Sequence, residues 1–203
     1  MISHILNTMD LTLSTHRLNL ALVQLEDLPD IHELHTLPET DRYNTLGIPE
    51  SVEQTVNIVQ EWIAAAEAEI STAFTFSIRS KETDTFIGLI ALKCGKPKFR
   101  TGEVWYKLHV EHWRKGYATE ALEKVLDFGF SNLKLHRIEA GCATANTGSI
   151  KVLEKAGMLK EGHKRKVLPL KEGWSDNYEF AILEEDWENR SNGKQQLYNN
   201  SHS

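Results

Sequence analysis

Residues 108–122, LHVEHWRKGYATEAL, carry the side chains best suited to chemistry. Their spacing predicts an extended strand, a turn bearing Arg114, Lys115 and Gly116, and a helix that starts at once. Such a turn can aim several backbone N–H groups at one anion, because the first N–H groups of a helix have no partner inside it. The helix dipole adds favourable potential at the same point. Gly116 lets a phosphate approach the backbone without a side chain in the way. Ala118 keeps the first helical turn thin, and Arg114 and Lys115 bring positive charge. By position alone, the same residues also describe a capped helix start with two solvated basic side chains.

Other chemical signals fade on inspection. Nine histidines occur, with His32 and His35 on one expected helix and His109 and His112 near the turn. No HExxH and no Cys/His ligand set accompanies them, so no metal is expected. There is no P-loop and no GxGxxG. Lys164–Arg165–Lys166 reads as a solvated basic run. Trp105 and Tyr106 read as core and pocket lining rather than a nucleic-acid stacking face.

The elements that must position the turn follow from switches in hydrophobic period. Residues 17–24 alternate apolar and polar, which predicts a strand, and residues 26–36 give a short helical face. Residues 38–50 read as a loop. A helix opens at Ser51, with Gln54 in capping-box spacing, and buries Val52, Val56, Val59, Ile63 and Ala66. Residues 73–79 and 85–94 form an antiparallel pair across KETD, and residues 102–110 form another strand. A helix spans 116–132, a strand 136–143, and a helix 146–156 that ends at Gly157. A weak strand at 167–170 and a last strand at 177–183 close the set. The class is α/β (α+β), a mixed sheet with a strand–helix–strand–helix run at its centre.

Composition sets the outer limits. The 203 residues suit one domain, read as an N-terminal arm at 1–14, a domain at 15–188 and a polar tail at 189–203. Twenty-three basic against 29 acidic residues give net −6, which argues against nucleic acid and for a cationic partner. No apolar run approaches the ~20 residues that cross a bilayer, and residues 1–10 lack a signal-peptide pattern. Cys94 and Cys142 are far apart and form no CxxC, which fits two core thiols in a reducing cytoplasm.

Residues 113–118, WRKGYA, resemble the pyrophosphate motif of the GNAT superfamily of N-acetyltransferases, written Q/R-x-x-G-x-G/A. Gly116 and Ala118 fill the small-residue positions and Trp113 departs at the first. Downstream, Asn146, Ser149, Gly157 and Met158 resemble N-x-x-S/A…G-F. The continuation GYATEAL, Glu161–Gly162 and the set Trp174, Asp176 and Tyr178 are similar to the branch that acetylates N-terminal amines of ribosomal proteins. The resemblance covers residues 15–188. It implies a mostly antiparallel sheet of about seven strands flanked by about four helices, with the central strands splayed.

The resemblance also implies acetyl-CoA as donor and no metal, and it gives each element a task. The strand at 103–110 would diverge from that at 136–143, and the pantetheine arm would add as a strand edge. The backbone of Leu108, His109 and Val110 would face it, and one N–H would hold the developing oxyanion. Arg114, Lys115, Gly116, Tyr117, Ala118 and Thr119 would cradle the pyrophosphate. Asn146 and Ser149 would contact the donor from the following helix, with Asn146 also its N-cap.

Ser149 stands where the ribosomal-protein branch carries a catalytic serine; its hydroxyl either protonates the leaving thiolate or only packs. The tyrosine that many members use falls at Leu153, and a carboxylate of some relatives falls at Leu168. Glu103 is then the expected base, acting through a water, against a solvated edge glutamate; Tyr106 or Tyr178 can substitute for the acid. The acceptor is a primary amine, either a protein N-terminus or a small molecule such as a polyamine, aminoglycoside or amino acid. A non-catalytic acyl-CoA-binding module is the reading from another class. Residues 37–50 would wall the acceptor groove, with Glu39 or Asp41 meeting the ammonium. No nucleic acid or membrane is expected, and monomer and homodimer stay open.

Overall fold

A computed structural model describes residues 11–190. In chain order the elements are β1 (Thr12–Ser14), β2 (Leu18–Leu22), α1 (Leu28–Thr36), α2 (Pro38–Asp41), α3 (Val52–Glu67), β3 (Ala73–Ser80), β4 (Phe86–Cys94), β5 (Thr101–Leu108), α4 (Tyr117–Asp127), β6 (Arg137–Ala143), α5 (Thr147–Lys155), β7 (Leu159–Leu170) and β8 (Gly173–Leu183). Residues 184–190 are helical. The strands form one open sheet of eight, ordered β1-β2-β3-β4-β5-β6-β8-β7.

One junction in that sheet differs from all the others. β5 and β6 run parallel and pair only at Thr101–Arg137, Gly102–Ile138 and Glu103–Glu139. Beyond Glu103, β5 stays with β4 to Leu108, while β6 stays with β8 to Ala143. The two central strands therefore diverge, and a wedge-shaped seam opens between them.

Side-chain alternation along β5 builds a core on each face. Val104 and Leu108 pack in one core with Ala121, Leu122 and Val125 of α4. Trp105 packs on the other face with Val23, Ile31, Leu34 and Val59, beneath α1 and α3. Its ring lies 5.5 Å from that of Trp62, which locks α3 over β5.

Several expectations shift. The eighth strand, β1, lies at the end of the segment read as an arm; residues 1–10 fall outside the described residues. A short helix, α2, interrupts the expected loop because Pro38 at its first position presets the backbone. The capping box does not form: Ser51 makes no cap bond, and Gln54 Oε1 instead accepts the N–H of Glu50, one residue before the cap, at 2.9 Å. β7 is far longer than the expected 167–170. It is an edge strand with almost every side chain exposed, so no apolar alternation announced it. The fold also continues past 188, where Arg190 pairs with Glu123 of α4 at 2.6 Å; residues 191–203 lie outside the described residues. Among the described residues, no helix is long and apolar enough to cross a membrane.

Candidate active site

The turn after β5 is shaped by left-handed backbone at Arg114 (φ 61°) and Gly116 (φ 83°). Gly116 occupies the N-cap position of α4 and offers no side-chain cap, so the first N–H groups of α4 stay open to an outside acceptor. Arg17 holds this turn from the start of β2. It donates to the Lys115 carbonyl at 3.0 Å and to Glu120 Oε2 at 2.7 Å, and its guanidinium lies 4.6 Å over the Tyr117 ring. Burial alone would raise the Glu120 pKa, but hydrogen bonds from Thr15 and Arg17 outweigh it and hold the carboxyl below its usual range. Arg114 through Thr119 thus sit together in one fastened, basic turn. The Arg17–Glu120 support had no signal in the sequence, since the two residues lie 103 positions apart.

The seam is lined by backbone. His109 N–H donates to the Ile87 carbonyl of β4 at 2.9 Å. By alternation, the peptide groups of Tyr106 and Leu108 face the seam instead. The Leu108 carbonyl takes one bond there, from Trp113 Nε1 at 2.8 Å. Gly88 of β4 stands opposite Leu108, where an added Cβ would fall 2.3 Å from the Lys107 carbonyl oxygen. Only glycine lets β4 come this close. Val110 falls in a short turn past the strand end, and its carbonyl accepts the Trp113 N–H at 3.2 Å. Of the backbone residues expected here, Leu108 lines the seam, His109 turns its N–H to β4, and Val110 lies beyond.

On the α4–α5 face, Asn146 caps α5 by accepting the Ser149 N–H at 3.1 Å. That cap fixes the first turn and sets Ser149 Oγ 2.6 Å from Tyr106 Oη. Burial pushes the Tyr106 phenol above its ordinary range, and the bond to Ser149 only partly offsets this. Tyr106 therefore stays protonated across the working pH range. Glu103 is exposed and alternates to the opposite face, at the last residue pair before the seam opens. Its register neighbours are Lys93 on β4 and Glu139 on β6. Tyr178 is occupied elsewhere, with its ring 5.2 Å from that of His163 and 4.4 Å from Lys160 Nζ.

The face that carries Glu103 also holds two buried ionisable groups: Lys107, which the sequence did not single out, and His35, weighed there only as a metal ligand. Burial lowers the Lys107 pKa to about 8, with Asp41 pulling upward. Burial, then Lys107 and His32, lowers that of His35 to about 4. The only signal for Lys107 was its alternation with Trp105 on an apolar face. Two clefts open nearby, between the segment after α2 and the β7–β8 hairpin. The larger, about 420 Å³, is lined by Arg42, Tyr43, Thr144, Lys166, Trp174 and Asp176. Among the described residues, no three His, Cys, Asp or Glu side chains gather as for a metal ion.

The sheet splits at one parallel junction, beside a helix start left open to anions. Residues 17–159 match the acetyltransferase (GNAT) domain family, and the chain belongs to that family. It is an acetyltransferase enzyme of the N-acetyltransferase type. The protein named "uncharacterized N-acetyltransferase p20" of Bacillus licheniformis is 35% identical over 176 residues, covering 87% of this chain and 98% of that protein. A GNAT-family acetyltransferase from Bacillus anthracis superposes with a TM-score of 0.75 at 30% identity, covering 86% of this chain and 99% of that one. Two more distant structures share the fold. Spermidine N-acetyltransferase of Vibrio cholerae, solved with CoA and spermine, gives a TM-score of 0.77 at 23% identity, over 85% of this chain and 99% of that one. Ribosomal-protein-S5-alanine acetyltransferase of Vibrio fischeri gives 0.77 at 24% identity, over 88% and 99%.

Proposed function

We propose that the protein transfers acetyl from acetyl-CoA to the α-amine of a peptide or protein N-terminus, by direct attack in a ternary complex. The observation that carries this is the Tyr106–Ser149 hydroxyl pair, held 2.6 Å apart at the rim of the seam. A hydroxyl there, backed by a phenol that keeps its proton, suits protonation of a leaving thiolate.

The residues present fit the donor. The open N–H groups at the head of α4, with Arg114 and Lys115, suit its pyrophosphate. The seam-facing peptides of Tyr106 and Leu108 offer hydrogen bonds to an extended amide arm. When bound, the donor supplies an activated thioester. In this reading the Leu108 N–H polarises that carbonyl, and Glu103 takes the ammonium proton through a water. Glu103 and Ser149 lie on opposite sides of β5, Glu103 at the closed end of the seam and Ser149 beside Tyr106.

For the acceptor, support comes from the sequence features shared with the ribosomal-protein branch and from the clefts beside residues 42–48. A short peptide can lie in such a groove by its backbone. Spermidine would need several carboxylates along its length, and Asp176 and Glu172 are the acidic residues in the larger cleft. The test is acetyl-CoA-dependent thiol release across peptides starting with Ala or Ser, their N-blocked forms and spermidine. Preference for free peptide N-termini supports the assignment. Activity surviving the block, or a tenfold preference for spermidine, about 1.4 kcal/mol in the transition state, overturns it. Binding without thiol release from any amine would leave a non-catalytic module.

A further inference from the structure

The larger cleft, about 420 Å³, is lined by Thr144 and Ala145, which follow directly on Ala143, the last residue of β6. β5 and β6 pair only at their starts, so the seam widens toward Leu108 and Ala143. The cleft therefore adjoins the wide end of the seam. Most polar groups that line it are already engaged within the β7–β8 hairpin. Asp176 Oδ2 lies 2.8 Å from His163 Nε2, and Asp176 Oδ1 accepts the Lys166 N–H at 2.9 Å. Lys166 Nζ donates to the Trp174 carbonyl at 3.1 Å, and Ser175 Oγ to that of Asp176 at 3.1 Å. Formal charge cancels too, with Arg42 and Lys166 against Glu172 and Asp176. What the cleft still presents is apolar surface. Trp174 is 60% exposed, and Tyr43 and Leu170 line the same cleft. The hairpin bonds take up the Trp174 carbonyl and leave its indole outside them.

We propose that Trp174 is a specificity-determining residue, whose ring takes a bulky apolar side chain from the first three residues of the acceptor peptide. This rests on the peptide-acceptor assignment above and adds the side-chain chemistry that the site prefers. An exposed indole beside a reaction site is surface that a ligand can withdraw from water. Burying a Phe-sized side chain even in part is worth about a factor of ten. Three extended residues span roughly 10 Å, which is the scale of a cleft of this volume. A polar side chain gains little there, because the groups that would pair with it are engaged. A second ammonium also gains little. The lining charges cancel, and the Arg42 guanidinium already lies 5.4 Å over the Tyr43 ring, the place a cation would take.

Peptides of one frame test it: Ala-Gly-Gly-Gly-amide, and its forms with Phe, Gln or Lys at the second or the third position. In the native enzyme kcat/KM should rise about tenfold for Phe at one of these positions, while Gln and Lys stay within about twofold of glycine. The gain should fall on KM, because the ring holds ground state and transition state alike. Trp174→Ala should erase the gain and leave kcat for the glycine peptide unchanged, whereas Trp174→Phe should keep most of it. If Trp174→Ala does not fold, Trp174→Gln takes its place. Equal efficiency across the peptides, a tenfold preference for Lys, or a Phe gain that survives Trp174→Ala overturns the proposal. So does self-association of the native protein that Trp174→Ala abolishes, since the ring is then a contact between copies. Thiol release with spermidine alone overturns the peptide assignment as well, whereas peptides that react without preference overturn this inference only.

Discussion

Tyr106 Oη lies 2.6 Å from Ser149 Oγ, and this contact ties the strand that opens the seam to the helix that closes over it. Ser149→Ala should lower kcat by about 100-fold, the usual scale for losing a proton donor. Acetyl-CoA affinity should change little, since the Asn146 cap and the α4 turn are untouched. Tyr106→Phe should reduce kcat by a smaller factor, about tenfold, because Ser149 remains while its partner is lost. Steady-state kinetics alongside calorimetry separate the two effects; unchanged turnover in Ser149→Ala would reduce that residue to packing.

At Gly116 the left-handed φ of 83° and the expected anion coincide. Gly116→Ala should cost about 1 kcal/mol of stability, since a Cβ is disfavoured in that conformation. Gly116→Glu adds a carboxylate where the donor's phosphates are expected and should abolish acetyl-CoA binding in a folded protein. Calorimetry with thermal unfolding reads both, and wild-type affinity in Gly116→Glu would move the donor site elsewhere.

Glu103→Gln keeps shape and removes basicity. Turnover near pH 7 should drop by about 100-fold and recover in part at higher pH, where more acceptor arrives already deprotonated. A pH profile that overlays the native one would remove Glu103 from the chemistry.

His35 gives a stability signature on the acid side. Its folded pKa, about 4, lies below the ordinary 6.5, chiefly through burial. The unfolded chain therefore takes up a proton as pH falls through 6.5, while the folded chain refuses it until about 4. Stability from this group is intact above 6.5 and falls by roughly 3 kcal/mol toward pH 4. His35→Leu should flatten that fall. Urea denaturation of both proteins at pH 7 and pH 4.5 measures the difference, and identical slopes would contradict it.

Much of this layout is visible in the chain. Period switches located the central strand–helix–strand–helix run, and the pattern at Trp113–Ala118 located the turn. Three things escaped. β7 carries no apolar alternation because neither of its faces is covered, and local pattern records only burial. Arg17 and Glu120 meet across 103 positions, a distance over which no local pattern reaches. Lys107 looked like one polar residue in a strand, and only the packing of α1 and α2 reveals that its charge is buried. The Tyr106–Ser149 bond was half legible: both residues stood out, but their pairing depends on the Asn146 cap that aims the first turn of α5.

The short β5–β6 junction has a dynamic signature. Amide protons of β5 that point toward β4 sit in a continuous ladder, as the His109-to-Ile87 bond does at its end. Those of Tyr106 and Leu108 point into the seam, past the last β6 partner at Glu103. Hydrogen–deuterium exchange along this strand and at the residue after it should therefore alternate, with Trp105, Lys107 and His109 slow and Tyr106 and Leu108 fast. Saturating donor should erase the alternation by protecting the fast pair, turning the seam into a direct spectroscopic reporter of occupancy.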